Sequence, residues 1–93
     1  MVLIVPIKCQ ILAYVIMNDA HTLTITQVFG IKLKTLRKSR GLSQQELAKL
    51  ANLDRSYIGG VERGDRNISL VNISNLAKAL NINIDELFKD IYG

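Results

Sequence analysis

Arg55, Ser56 and Tyr57 follow one another in the sequence, and Gln44 stands a short distance ahead of them. Their common chemistry is directional hydrogen bonding, not the making or breaking of bonds. A guanidinium such as that of Arg55 donates two parallel bonds to a flat acceptor edge, and guanine O6/N7 is such an edge. The plain alternative is a solvated surface charge. Ser56 donates or accepts at a neighbouring base, while Tyr57 offers a hydroxyl to phosphate or a ring face to a thymine methyl, with a half-buried core position as its other reading. The groups that covalent or metal chemistry needs do not assemble. One cysteine (Cys9) and one histidine (His21) exclude an internal disulfide, a Cys/His zinc centre and a His-pair metal site. No carboxylate pair is spaced for acid–base work, and there is no glycine-rich phosphate loop. The expectation is a binding protein, not an enzyme, with no metal and no cofactor.

The chain has 93 residues, 48% hydrophobic and 22% charged, which is the size and composition of one small globular domain. So small a core buries a low fraction of its surface, and pairing with a second copy would help it. With no disulfide to form, the cytoplasm is the default compartment. The net charge of +4 is unevenly spread. Residues 1–25 are neutral overall, residues 26–66 carry nine basic against four acidic side chains, and residues 67–93 carry two against three. A basic middle allows nucleic acid as a partner without demanding it, since an ordinary solvated surface looks the same at this density.

Residues 1–17, MVLIVPIKCQILAYVIM, are different material: nearly continuous apolar sequence with one charge. The run is shorter than the roughly 20 residues of a spanning helix and is interrupted by Pro6, Lys8 and Gln10, so no membrane role is expected. It lacks the basic start and small-residue cleavage site of a secretory signal. Three readings stay open: an extra element packed on the domain, a dimer or partner contact, or sequence upstream of a true start at Met17. The division expected is an N-terminal extension of undefined structure over residues 1–25 and a helical domain over 26–93.

The pattern from Thr22 onward is helical. Thr26 is a candidate cap for a first helix with Val28, Phe29, Leu33 and Leu36 on its apolar side, ended by Gly41. Ser43-Gln44-Gln45-Glu46 reads as a capping box opening a second helix with Leu47, Ala48, Leu50 and Ala51. Asp54 is placed to cap a third, with Tyr57, Ile58 and Val61 as its apolar positions and Gly64 as its stop. Ser69 caps a fourth, with Leu70, Ile73, Leu76, Ala77 and Leu80. Asn83-x-x-Glu86 starts a fifth, with Ile84, Leu87, Phe88 and Ile91. The fold class expected is all-α, with five helices and no obligatory strand.

Two short helices joined by a tight connection, with Ala48 and Ala51 where they must touch, match the helix-turn-helix, whose second helix enters the major groove. The segments Ser43-Gln44-Gln45-Glu46-Leu47-Ala48 and Leu53-Asp54-Arg55-Ser56-Tyr57-Ile58-Gly59-Gly60-Val61-Glu62-Arg63-Gly64 resemble the phage-repressor family, Cro/C1 or XRE-like. The likeness covers residues 27–91, and the stretch Asp54 to Leu70 is most similar to the controller proteins of restriction-modification systems. The resemblance implies a lambda-repressor-like DNA-binding domain acting as a homodimer on a nearly palindromic double-stranded operator close to its own gene. RNA polymerase is a further implied partner. A prophage-type repressor, and an antitoxin whose main role is to bind a partner protein, are the alternatives kept open.

The same resemblance implies residue roles. Gln44, at a helix N-terminus, would clamp a phosphate. Arg66 and Asn67 would contact DNA from the loop after the third helix, though turn chemistry alone also explains Asn67. Arg37 and Glu62 would form an ion pair joining the first helix to the third. Ile84, Leu87, Phe88 and Ile91 would form the dimer face, unless the monomer core takes them. Gly59 and Gly60 are costly in a helix, about 1 kcal/mol each relative to alanine. They imply either close approach to DNA with some reading through its shape, or close packing of the helix itself.

Overall fold

The computed structural model describes residues 23–91, an all-helical unit with no strand among the described residues. The apolar segment 1–17, Cys9 and His21 lie outside them. Four α-helices follow in order: α1 (Ile25–Ser39), α2 (Gln44–Ala51), α3 (Arg55–Arg63) and α4 (Leu70–Ala79). A single 3-10 turn, Ile84–Leu87, closes the described chain.

Each helix starts where a side chain satisfies its free amides, with one exception at α3. The cap of α1 is Thr24, not the expected Thr26. Thr24 Oγ1 accepts from the Gln27 amide at 3.2 Å and Gln27 Oε1 accepts from the Thr24 amide at 2.9 Å. A cap at Thr26 would have set Phe29 in the reciprocating position, and Phe29 has nothing to offer. Ser43 and Glu46 form the expected box on α2, with bonds of 3.0 and 2.8 Å. The hydrogen bond from the Ser43 amide holds the Glu46 carboxyl below the usual carboxylate range. The Asn72 amide donates to Ser69 Oγ at the start of α4. Asp54 occupies the cap position of α3 but makes no side-chain cap bond there.

The expected fifth helix is only the 3-10 turn. Asn83 makes no side-chain cap bond, and the chain turns left-handed at Asp90 (φ 61°), which leaves no length for successive α-helical hydrogen bonds. The turn nonetheless delivers Leu87 and Ile91 to the interior. The main core joins Phe29 and Leu33 of α1, Leu47, Ala48 and Ala51 of α2, Ile58 and Val61 of α3, and Ile73, Leu76 and Ala77 of α4 with Leu80 and Leu87. Leu70 and Leu50, expected on apolar faces, are instead 75% and 60% exposed.

The position of α3 is set by two glycines. A Cβ on Gly30 would fall on the backbone carbonyl oxygens of Val61 and Glu62, so α1 and α3 meet at backbone distance. Gly64 ends α3 at φ 82°, and a Cβ there would lie 2.6 Å from Gln27 Cγ and 2.8 Å from Gln27 Cα. Because backbone cannot step aside as a side chain can, Gly30→Ala should destabilise the fold by about 1–3 kcal/mol. Thermal melting checks this, and an unchanged midpoint would mean the helices separate freely.

Candidate nucleic-acid interface

The connection between α2 and α3 is three residues long, and its geometry comes from Asn52, which is left-handed at φ 57° and lets the Leu53 amide return to the Ala48 carbonyl at 2.8 Å. Ala48 and Ala51 are buried at the crossing of the two helices. This sharp turn leaves the start of α3 projecting from the body. Arg55 and Ser56 occupy its first turn and are exposed. Neither takes part in a side-chain hydrogen bond or ion pair among the described residues.

Tyr57 points the other way and does two jobs. Its ring packs against the core, while its hydroxyl accepts from Asn72 Nδ2 at 3.1 Å. The Arg66 guanidinium carbon lies 5.4 Å from the centre of the ring. Asn67 is exposed in the same loop. Gly59 and Gly60 are buried, and the groups beside them are side chains of this same chain: Arg63 and Gln44 at Gly59, Arg66 at Gly60.

Behind α3 lies the polar link to the rest of the fold. Arg37 Nε donates to Glu62 Oε2 at 2.6 Å and Arg37 Nη2 to Glu62 Oε1 at 3.0 Å. Arg37 Nη1 donates to the Leu42 carbonyl at 2.8 Å. The two side chains are 8% and 3% exposed, and bonding to Glu62 raises the Arg37 pKa above its ordinary value. Gln44 Nε2 donates to Glu62 Oε1 at 3.0 Å, so the glutamine at the start of α2 is tied to the third helix. One carboxylate therefore fixes three helices' polar groups relative to each other. Gln44 keeps a second amide hydrogen and sits beside the free amides of the α2 N-terminus, a combination suited to an anion. If it clamps a phosphate, Gln44→Ala weakens binding to every duplex about alike; a sequence-selective loss in a competition assay would contradict the clamp.

No group of three or more His, Cys, Asp or Glu side chains converges among the described residues. The surface instead offers the exposed donors of Arg55 and Ser56 at the start of α3, where Glu62 is turned inward, Asp65 is paired with Arg63 at 2.9 Å and the exposed Asp54 is the one carboxylate beside them without a partner among the described residues. Such a surface suits a partner rich in acceptors.

The helix-turn-helix family HTH_3 matches residues 33–87. The chain belongs to that family. It is a DNA-binding transcriptional regulator, and the family is one of regulators rather than enzymes. Among its relatives, the control protein C.MunI of Mycoplasma sp is 48% identical over 64 residues, 68% of this chain and 86% of that protein. The control protein C.BamHI of Bacillus amyloliquefaciens is 42% identical over 67 residues, 71% and 83% of the two chains. The crystal structure of the restriction-modification controller protein C.AhdI from Aeromonas hydrophila is 60% identical, covers 68% of this chain and 96% of its own, and superposes with a TM-score of 0.67.

For this regulator the dimer residues anticipated from sequence divide in two. Leu87 and Ile91 are buried in the chain's own interior, while Ile84 and Phe88 are 42% and 43% exposed, with Phe88 leaning on Phe29 at a ring separation of 5.4 Å. Asn72 has no local signature in the sequence, because its bond to Tyr57 spans fifteen positions. No described helix is long and apolar enough to cross a membrane.

Proposed function

We propose that this regulator is a cytoplasmic controller of the restriction-modification type, a homodimer that binds a nearly palindromic operator next to its own gene and there meets RNA polymerase. The observation carrying this reading is the projecting first turn of α3, where Arg55 and Ser56 are exposed and unengaged. Arg55 and Ser56 read base edges, Tyr57 and Arg66 with Asn67 flank them, and Gln44 clamps the phosphate backbone. Two such helices in a two-fold dimer meet successive major grooves about 34 Å apart. The likeness to C.MunI, C.BamHI and C.AhdI supports the controller assignment.

Apolar surface left over by the core supports pairing. Beside Ile84 and Phe88 it includes Leu70 and Val71, 75% and 70% exposed at the start of α4. Ile84→Asp should shift the chain from dimer to monomer in sedimentation, without disturbing the Phe29–Phe88 contact. An intact dimer would move the interface elsewhere, with Leu70 and Val71 next in order.

The deciding experiment titrates the whole chain onto DNA from upstream of its own coding sequence and onto a scrambled duplex, at two salt concentrations. Tight, salt-sensitive binding confined to the upstream DNA is expected. Equal binding to both duplexes would sink the autoregulatory reading.

A further inference from the structure

Arg66 is an exposed cation whose side chain the fold holds without neutralising. Its neighbour Asp65 is engaged by Arg63 at 2.9 Å, and Arg66 itself makes no ion pair or side-chain hydrogen bond among the described residues. Yet its stem is not loose. A Cβ on Gly60 would lie 3.0 Å from Arg66 Cγ and 3.2 Å from Arg66 Nε, so the stem runs along backbone that glycine leaves bare. The guanidinium then comes to rest 5.4 Å from the centre of the Tyr57 ring. That ring is in turn fixed by the core on one side and by the bond from Asn72 to its hydroxyl on the other. The Asp65 amide donates to the Gly60 carbonyl at 2.9 Å, which anchors the loop one residue ahead of Arg66.

We propose that Gly60, Tyr57 and Asn72 form a seat that orders Arg66 before DNA arrives, making Gly60 and Asn72 positioning residues that act on DNA binding through Arg66. The inference rests on the reading above, in which Arg66 contacts DNA. An arginine with a free stem gives up much rotamer freedom when it is pinned to a ligand, and a side chain already seated gives up less. The guanidinium keeps its donors because a ring face takes none of them, whereas a carboxylate partner would have occupied two. This also accounts for a glycine in the middle of α3. Alanine would suit the helix better, but its methyl group would crowd the stem of Arg66, which is flexible and would be pushed from the ring rather than disrupt the fold.

The test uses the duplex that the wild-type chain enriches from a randomised library. Affinities are measured for Gly60→Ala, Asn72→Ala, Arg66→Ala and the two double variants carrying Arg66→Ala. Gly60→Ala should melt at or above the wild-type temperature and still bind about threefold to tenfold more weakly, as should Asn72→Ala. Both losses should vanish in the Arg66→Ala background. In the free protein, Gly60→Ala should also increase the fast motion of the Arg66 Nε–H group in NMR relaxation, which a purely architectural glycine would not affect. Unchanged affinity in Gly60→Ala, or the same loss with and without Arg66, overturns the seat. If Arg66→Ala itself binds like wild type, the DNA contact is wrong and the seat falls with it. A weakened Arg66→Ala beside an unaffected Gly60→Ala removes the seat alone.

Discussion

Glu62→Ala should destabilise the fold by about 3–5 kcal/mol, the cost of leaving a buried charge without its partner. Glu62 receives three N–H groups, two from Arg37 and one from Gln44, in a setting where both members of the ion pair are almost wholly enclosed. Arginine cannot escape by giving up its proton, because its guanidinium stays charged at any ordinary pH. Without Glu62 it keeps only the Leu42 carbonyl. The midpoint of thermal unfolding should drop by more than about 10 °C. Arg37→Ala alone should be costly too, and the double variant should lose less than the sum, because removing both charges leaves neither stranded. A loss under about 1 kcal/mol for Glu62→Ala would show that water screens the pair as it screens surface ion pairs. The consequence reaches the proposed function through geometry: Glu62 is on α3, Arg37 on α1 and Gln44 on α2, so the carboxylate sets the angle at which α3 is presented.

The parts of this fold that are local in sequence can be read from it, and the parts that depend on distant contact cannot. Ser43 with Glu46, Ser69 before α4 and Gly64 after α3 each act within four residues, and each functions as its spacing indicates. Thr24 and Thr26 offer the same hydroxyl, and the deciding difference is that only Thr24 has a glutamine three residues on. The end of the chain misleads for a related reason. Leu87 and Ile91 have helical spacing, but spacing cannot tell a buried 3-10 turn from a full helix, and the left-handed Asp90 gives no signal in advance. Apolar type also says nothing about which side of α4 is covered. Leu70 and Ile73 look alike until the neighbouring helices are placed; Ile73 is buried and Leu70 is not. At the candidate site, Arg55 and Ser56 stand out by type and position. The Asn72–Tyr57–Arg66 arrangement does not, because it joins α3, the loop after it and α4 through side chains far apart in the chain.

Arg55→Ala should leave stability within about 0.5 kcal/mol of wild type, since the side chain is exposed and engages nothing in the fold. Binding to the selected duplex should nevertheless fall by about 1–3 kcal/mol per half-site, the worth of a bidentate contact to guanine, and by up to twice that for a dimer using both. Preference at one base pair of each half-site should relax, while binding to scrambled DNA changes little beyond the loss of one positive charge. Competition binding against single-base variants of the site measures all three quantities. An equal loss on every duplex would make Arg55 a phosphate contact. The fold offers a reason to expect that Arg55 serves binding and not stability. A cation in the first turn of a helix opposes the helix dipole, the first turn of α3 contains no acidic residue, and the Asp54 cap makes no side-chain bond. Two glycines weaken the same helix further, at about 1 kcal/mol each. On local grounds α3 is the least favourable helix among those described, held by Ile58, Val61 and Glu62 on its inner side. Helix stability alone would favour aspartate or glutamate at position 55. A guanidinium stands there, exposed to solvent, where it adds nothing to the helix and is free to meet an acceptor supplied from outside.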